Sequence, residues 1–205
     1  ADVVVVGAGL GGLGTAGLLA EKQHEVLVLE KAAVVGGRAH VVEKDGFTLD
    51  YGIHLNRFCG NGKCAQVMRA AGREPDFKMT DEPMVLTPGG TLDHFPGGFS
   101  GLRDTKLLSP VSKLRILPFL VALLARRPAK FGDRSVREAL EKFSPSDDMV
   151  EMMELFCGST MIAPDLDAVS AKETAAFLQT AVRSITTPVG YLRGGWHTFF
   201  SLMND

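Results

Sequence analysis

The hydrophobic pattern at the start of the chain predicts one β-α-β unit. Val3 to Val6 is an unbroken β-branched run, typical of a strand buried on both faces of a parallel sheet. From Leu10 to Lys22 small and apolar residues recur at helical spacing, and Glu25 to Glu30 has the pattern of a second buried strand. Strand, helix and strand in this order predict a right-handed crossover between two parallel strands.

Further along, the pattern predicts two hairpins and another helix. The first hairpin turns at Asp45-Gly46, because glycine readily adopts the positive φ that such a turn needs. Residues 62–72 ("GKCAQVMRAAG") predict a helix that ends with Gly72 in the C′ position. The predicted hairpin strands are Arg38–Glu43, Phe47–Leu49, Met84–Leu86 and Thr91–Phe95.

Strand signals fade after residue 107, and a mostly helical region is predicted to about residue 187. Ser135 and Ser170 each begin a Ser-x-x-Glu capping box, in which serine and glutamate satisfy the first backbone amides of a helix. Residues 147–156 ("DDMVEMMELF") place acids at a helix start, where the helix dipole favours them. The final segment, residues 191–203, predicts one more helix. The predicted core methionines are Met149, Met152 and Met153.

Composition and charge exclude several classes of protein. The chain of 205 residues is 45% hydrophobic and 22% charged, which is typical of a globular protein. A net charge of -2, without a basic patch flanked by aromatics, argues against a nucleic-acid partner. Cys59, Cys64 and Cys157 are too few for a disulfide scaffold and form no zinc-site pattern, so they are predicted to be free thiols. Without a spanning apolar run or a signal-peptide pattern, a cytoplasmic location is predicted.

Glycines follow the first strand in the spacing G-x-G-x-x-G. Gly7 permits the tight turn, Gly9 lets a pyrophosphate approach the backbone, and Gly12 allows the helix to pack closely on the strand. Glu30 closes the second strand, where its carboxylate can accept from both hydroxyls of an adenosine ribose. The carboxylate would repel a 2′-phosphate, so NADP is not expected at this site. The glycines, the flanking strands and Glu30 together favour a site for an adenine dinucleotide over a simple glycine turn.

The residues after Glu30 extend the motif in "VVGGRA" (residues 34–39) and "LDYGIHL" (residues 49–55). On these two segments the sequence resembles the FAD-dependent oxidoreductases that include phytoene desaturases, flavin amine oxidases and protoporphyrinogen oxidase. The later segments "LFCG", "AVSA" and "RGGW" look most like the phytoene-dehydrogenase-like branch. The resemblance covers nearly the whole chain, but the specific motifs lie in its first 55 residues.

The resemblance implies that the cofactor is FAD. Two glycines let the backbone pass close to the cofactor, while Arg38 supplies donors to phosphate oxygens or to the flavin side of the dinucleotide. For His54 two interpretations stay open, a residue of the reaction cavity or a hydrogen-bonded structural histidine. The residues predicted to hold the cofactor are Gly7, Gly9, Leu10, Gly11, Gly12, Glu30, Lys31, Gly37, Arg38, Gly52 and His54; no metal site is predicted.

The resemblance further implies a desaturase or dehydrogenase that removes a hydride from a hydrophobic, polyprenoid-like substrate. Since the flavin accepts the hydride, such a site needs no catalytic dyad, and none is nominated. Two alternatives stay open: a flavin amine oxidase, and a non-catalytic nucleotide-binding subunit.

The fold class expected is α/β, a Rossmann-type FAD-binding β-α-β unit beside a mostly helical substrate domain. The predicted segments are a dinucleotide-binding region at 1–75, a substrate-binding region at 76–190, and the start of a return to the first region at 191–205. One β-α-β unit provides an incomplete parallel sheet. We therefore expect a fragment or one half of a split enzyme, with the rest of the FAD domain supplied by further sequence or by a partner chain.

Residues 107–131 combine a compact apolar segment with basic neighbours. This pattern fits an interfacial element on an anionic bilayer, through which a lipid-like substrate could enter. It also fits a buried helix with basic ends, the more common arrangement, and Pro118 is expected to kink either one. The basic residues are Lys106, Lys113, Arg115, Arg126, Arg127 and Lys130.

Overall fold

A computed structural model describes residues 1–52, 55–79, 83–183 and 189–204 of the chain. It divides into two compact units, each with its own core. The first unit comprises Ala1–Thr80 and Ser184–Asp205, and the second comprises Asp81–Arg183. The first unit is therefore built from both ends of the sequence.

The first unit begins with the predicted β-α-β arrangement. Strand β1 (Val3–Val6) pairs in parallel with β2 (Val26–Leu29), and helix α1 (Leu10–Glu21) connects them. In the register of this pair Val3 lies opposite Val26. The α/β fold class and the parallel pairing predicted from the sequence are confirmed.

The prediction that these strands are buried on both faces is wrong for this chain. Side chains alternate along β1 and β2, and helix α1 covers only one face of the pair. The other face presents Val4 at 52%, Val6 at 83%, Leu27 at 47% and Leu29 at 49% exposure. The physical reason is that, in the described residues, no second layer packs against this face.

The first hairpin joins β3 (Val41–Lys44) to the antiparallel β4 (Phe47–Asp50). Its turn residues, Asp45 and Gly46, have φ angles of 52° and 78°, as the sequence predicts. The first strand begins later than expected, however. Gly37–Ala39 forms a short 3-10 helix, so Arg38 is not part of a strand.

After a short strand β5 (Asn56–Arg57), helix α2 spans Lys63–Ala70, and Gly72 follows with a φ of 74°, consistent with the predicted C′ position. Strand β6 (Phe77–Met79) then completes the N-terminal part of the unit. Cys64, on α2, is half-buried, and desolvation raises the pKa of its thiol to about 11. It therefore remains a protonated thiol at neutral pH.

The second unit consists of one hairpin, five α-helices and a short 3-10 helix in the residues that the structure describes. The hairpin pairs β7 with β8, and the helices follow it from Phe99 onward, earlier than the predicted start near residue 107. Helix α4 continues through Pro118. The bounds are β7 (Met84–Leu86), β8 (Leu92–His94), α3 (Phe99–Asp104), α4 (Pro110–Ala125), α5 (Val136–Glu141), α6 (Asp147–Thr160) and α7 (Ala171–Arg183).

The two serines of the predicted capping boxes, Ser135 and Ser170, begin two of these helices. At α5 the Ser135 hydroxyl accepts from the backbone of Glu138 and the Glu138 carboxylate accepts from Ser135 N, so the predicted box is complete. At α7 the Ser170 hydroxyl accepts from Glu173 N at 3.4 Å. Both serines thus begin helices as predicted.

Helices α4, α6 and α7 supply most of the core of the second unit. Ile116, Phe119 and Leu123 of α4 are completely buried. The methionines of α6 lie in the same core, which confirms their predicted packing role: Met149, Met152 and Met153. No helix within the described ranges combines the length and hydropathy needed to cross a bilayer.

The chain then returns to the first unit. Strand β9 (Val189–Leu192) pairs with both β5 and β6, and helix α8 (Gly195–Asn204) follows it, as predicted for this segment. Side chains of α8 form the centre of the first core, together with Leu13 and Met68. They are Trp196, Phe199, Phe200 and Met203.

A cluster around Asp148 ties the starts of α4 and α6 together. Its carboxylate accepts from Ser112 Oγ at 2.8 Å, from Ser146 Oγ at 2.5 Å and from Ser109 N at 3.0 Å. Desolvation by itself would raise the pKa of Asp148. The hydrogen bonds from Ser146, Ser109 and Ser112 outweigh it and hold the pKa at about 2.

We expect Asp148→Asn to lower the free energy of unfolding by about 1–3 kcal/mol at pH 7, because the buried Ser112 hydroxyl, the half-buried Ser146 hydroxyl and the Ser109 amide lose a charged acceptor. The pKa is lowered in the folded state, so this stabilisation is present above the ordinary Asp pKa and is lost as pH falls toward 2. Thermal unfolding followed by circular dichroism from pH 7 to acid should show the difference from wild type shrinking. Asp147→Asn, in the same helical turn without these bonds, is the control; equal losses in both variants would contradict the prediction.

Candidate functional site

The glycine loop between β1 and α1 requires glycine at Gly7 for its backbone conformation and at Gly12 for lack of space. Gly7 has a φ of 99°, and its N–H donates to Leu29 O at 2.7 Å. A Cβ on Gly12 would lie 1.9 Å from Gly7 O. Glycine at these two positions therefore allows the tight turn and the close approach of α1.

The start of α1 is open toward a ligand. Its N-cap, Gly9, contributes no side-chain hydrogen bond, and the first turn contains no acidic residue. Gly11 is exposed, with no atom within 4 Å of the position of a Cβ. The first backbone amides of a helix carry partial positive charge and lack partners within the helix, so this end suits an anionic group.

Glu30 lies beside the loop and is engaged with its backbone. One carboxylate oxygen accepts from Ala8 N at 2.7 Å and the other from Ala32 N at 2.9 Å. The bond from Ala32, followed by the bond from Ala8, lowers the pKa of Glu30. The carboxylate is therefore charged at neutral pH, and each oxygen keeps a second lone pair for a further donor.

Gly36 and Gly37 pack against the glycine loop, although they follow it by more than twenty residues. Gly36 N donates to Ala8 O at 2.8 Å, and Gly9 and Gly36 form a parallel bridge. A Cβ on Gly37 would lie 3.6 Å from the Gly9 Cα. Gly36 and Gly37 have φ angles of 110° and 57°, which favour glycine.

Arg38 is thereby placed next to the loop with an exposed side chain. No ion pair involves it within the part of the chain that the structure describes. Its carbonyl oxygen lies 2.3 Å from where a Cβ on Gly52 would be, and Gly52 has a φ of 75°. Glycine at position 52 thus lets the end of the hairpin approach Arg38.

The structure brings most of the predicted cofactor residues into one region of the first unit. Leu10 is half-buried at the start of α1, and Lys31 is exposed after Glu30. His54 lies outside the described residues. The residues gathered around the loop are Gly7, Gly9, Gly11, Gly12, Glu30, Gly37 and Arg38; each remains a prediction as a cofactor contact.

Sequence reasoning missed the residues that support this region from α8. Phe200 covers Gly36, because a Cβ there would lie 2.8 Å from its ring. Asp50 accepts from Trp196 N at 3.0 and 3.2 Å, and its carboxylate would collide with any side chain at Gly195. The "RGGW" segment was noticeable in the sequence, but nothing there paired it with the end of the hairpin.

This geometry fits a dinucleotide. Backbone at Gly9 and Gly37 offers close approach, α1 offers amides, and Arg38 offers a guanidinium to phosphate oxygens. Glu30 offers carboxylate lone pairs to a ribose. The first unit therefore contains the kinds of group that bind a pyrophosphate and a neighbouring ribose.

Comparisons with known proteins agree with this interpretation. Residues 5–70 match the NAD(P)-binding Rossmann-like domain family. The chain is 37% identical over 98 residues to the chloroplastic prolycopene isomerase of Arabidopsis thaliana, covering 46% of this chain and 15% of that protein. It is 48% identical over 50 residues to a 4,4'-diapophytoene desaturase of Staphylococcus aureus, covering 24% of this chain and 10% of that protein.

A solved oxidoreductase from Methanosarcina mazei shares the fold, with a TM-score of 0.74 at 22% sequence identity. The alignment covers 98% of this chain but 48% of the solved chain. The chain thus spans about half the length of this structural relative. Together the relatives confirm the resemblance, first seen in the sequence, to the FAD-dependent oxidoreductase superfamily.

We expect Gly12→Ala to destabilise the first unit by about 3 kcal/mol, since its methyl group would force the loop open. Gly11→Ala should change stability by less than about 1 kcal/mol, in either direction, because its site is open. Trp196, the single tryptophan, lies in the core of this unit and reports its unfolding. Urea titrations followed by its fluorescence test the pair; a Gly12→Ala variant as stable as Gly11→Ala would contradict the close packing.

Proposed function

We propose that this chain provides the FAD-binding N-terminal part of an FAD-dependent desaturase or dehydrogenase that acts on a hydrophobic, polyprenoid-like substrate. The observation that carries the proposal is the packing of Gly36–Gly37 on the glycine loop, which places the exposed Arg38 beside the start of α1. The loop alone fits any adenine dinucleotide. The Gly-Gly-Arg segment adds a second backbone approach and a cation, and it is this segment that resembles the FAD-dependent enzymes.

Each residue of the site has a role in this proposal. The amides of α1 and the Arg38 guanidinium bind the pyrophosphate, and the Glu30 carboxylate accepts from ribose hydroxyls. The backbone at Gly9 and Gly37 allows close approach of the cofactor, because neither residue carries a side chain. When bound, FAD supplies the redox chemistry by accepting a hydride from a C–H bond of the substrate. The role of the protein is to hold and orient the cofactor and the substrate.

The substrate class is supported by the names of two relatives, a prolycopene isomerase and a diapophytoene desaturase. The substrates in both enzyme names are long apolar polyenes, which agrees with the hydrophobic substrate expected from the sequence. The second, mostly helical unit is the part of the chain that we assign to substrate binding.

The exposed face of the β1–β2 pair supports the proposal that further chain completes the FAD domain. Four apolar side chains, Val4, Val6, Leu27 and Leu29, lie on that face. Parallel sheets are normally covered on both faces, so a second layer from additional sequence or from a partner chain would bury them. We propose that FAD is held firmly only when this layer is present.

The visible spectrum of the protein, purified in the longest form that its gene encodes, tests the cofactor. A yellow protein with flavin absorbance is expected. Anaerobic incubation with carotenoid precursors should bleach that absorbance, whereas amines should leave it unchanged. A colourless protein that takes up no added FAD would refute the proposal, and bleaching by amines would instead indicate an amine oxidase.

The role of Arg38 can be tested in the same protein. Arg38→Ala should weaken FAD binding roughly ten-fold, the loss expected for a charge-assisted hydrogen bond to phosphate. Arg134→Ala removes an equally exposed arginine of the second unit and serves as the control. FAD titrations followed by quenching of flavin fluorescence measure both. Equal affinity of the Arg38 and Arg134 variants would show that Arg38 does not contact the cofactor.

A further inference from the structure

Helix α4 is apolar on the face opposite the core. Its inner face contributes Ile116, Phe119 and Leu123 to the core of the second unit. Turned away from that core is a set of exposed apolar side chains, which we call the outer face of α4. It consists of Val111 at 63%, Leu114 at 70%, Leu117 at 40%, Val121 at 59% and Leu124 at 41% exposure.

The helical spacing makes this face continuous. At 100° per residue, Leu114, Leu117, Val121 and Leu124 lie within about a quarter turn of one another. The exposed Pro118 and Ala125 adjoin them, so no charged side chain interrupts the stripe. A solvent-facing helix surface normally carries polar residues, and an apolar stripe of this length marks an interaction surface.

The segment of the sequence that contains the outer face carries charges of one sign. Residues 105–132 contain six basic residues and no acidic residue, in a chain whose formal net charge is -2. Lys113 and Arg115 flank the stripe near the start of α4, donating to Arg103 O and Ser144 O. Arg126, Arg127 and Lys130 follow its end; they are exposed and, among the described residues, form no ion pair.

We propose that the outer face of α4 lies in the interfacial region of an anionic lipid bilayer, parallel to its surface. The apolar stripe enters the acyl boundary while the basic residues meet the anionic headgroups. The charge pattern selects this occupant, because a protein partner for an apolar stripe does not require a segment with six basic residues and no acid. The proposal stands independently of the cofactor site, which lies in the other unit.

Vesicle flotation tests this placement directly. The protein is mixed with phosphatidylcholine vesicles, with or without about one third phosphatidylglycerol, at low and high salt. We expect binding to the anionic vesicles that weakens with salt. The triple variant Arg126→Gln/Arg127→Gln/Lys130→Gln should bind about 100-fold more weakly, since each basic residue near an anionic surface contributes about a five-fold factor.

The apolar contribution is tested with Leu114→Ser/Val121→Ser. Both side chains are exposed, so thermal unfolding should be unchanged while vesicle binding is lost. The matched control is Leu86→Ser/Leu92→Ser, a cross-strand pair of the same unit at 68% exposure each, which should bind like wild type.

Three results would overturn the proposal. The first is a wild-type chain that does not float with anionic vesicles. The second is equal loss of binding in the α4 and control variants, which would indicate a general effect of apolar surface. The third is a wild-type protein that binds no vesicles and sediments as a dimer, while Leu114→Ser/Val121→Ser sediments as a monomer. A second copy of the chain would then cover the outer face.

Discussion

The backbone of Ala8 is the point on which the arrangement of the candidate site depends. Its N–H donates to Glu30 at the end of β2, and its carbonyl accepts from Gly36 N. One buried residue therefore joins the glycine loop, the acidic residue and the second glycine pair. Because both hydrogen bonds meet at Ala8, the loop cannot open without also displacing the Gly-Gly-Arg segment. The same arrangement leaves Gly11 at the start of α1 and Arg38 exposed to solvent.

Helix α8, near the end of the chain, stabilises this arrangement by packing against Gly36 and the first hairpin. Phe200 of α8 packs on Gly36, and the N-terminus of α8 is held by the Asp50 carboxylate at the end of the first hairpin. The glycine loop, the hairpin and α8 are thus one structure, although about 150 residues separate Asp50 from Trp196. In the sequence, the second unit is inserted between the two parts of the first unit. It has its own core, built largely from α4, α6 and α7, and can therefore be mostly helical although the first unit contains a parallel strand pair.

The two units expose different kinds of apolar surface, and the difference bears on function. On the β1–β2 pair the exposed side chains belong to a parallel sheet, which needs a protein layer to cover it. On α4 the exposed stripe lies in a segment with six basic residues and no acid, a pattern suited to a lipid surface. If both proposals hold, the same protein would use one surface to complete its cofactor domain and another to approach an apolar substrate at a membrane.

The sequence by itself determined the local elements and the identity of most candidate site residues. Some features depend on interactions between residues that are close in the sequence, and the types and spacing of the side chains determine these interactions. They are the β-α-β unit, the Asp45-Gly46 turn, the Ser135 capping box and the glycine spacing. Only the tertiary structure decided that Arg38 belongs to a 3-10 turn, that one face of β1 and β2 is exposed, and that α4 is apolar on its outer face. It also paired Phe200 with Gly36 and Asp50 with α8. These features depend on contacts between segments that are distant in the sequence. The hydrophobic pattern shows that a residue is apolar, but it does not show which surface covers that residue or whether any does.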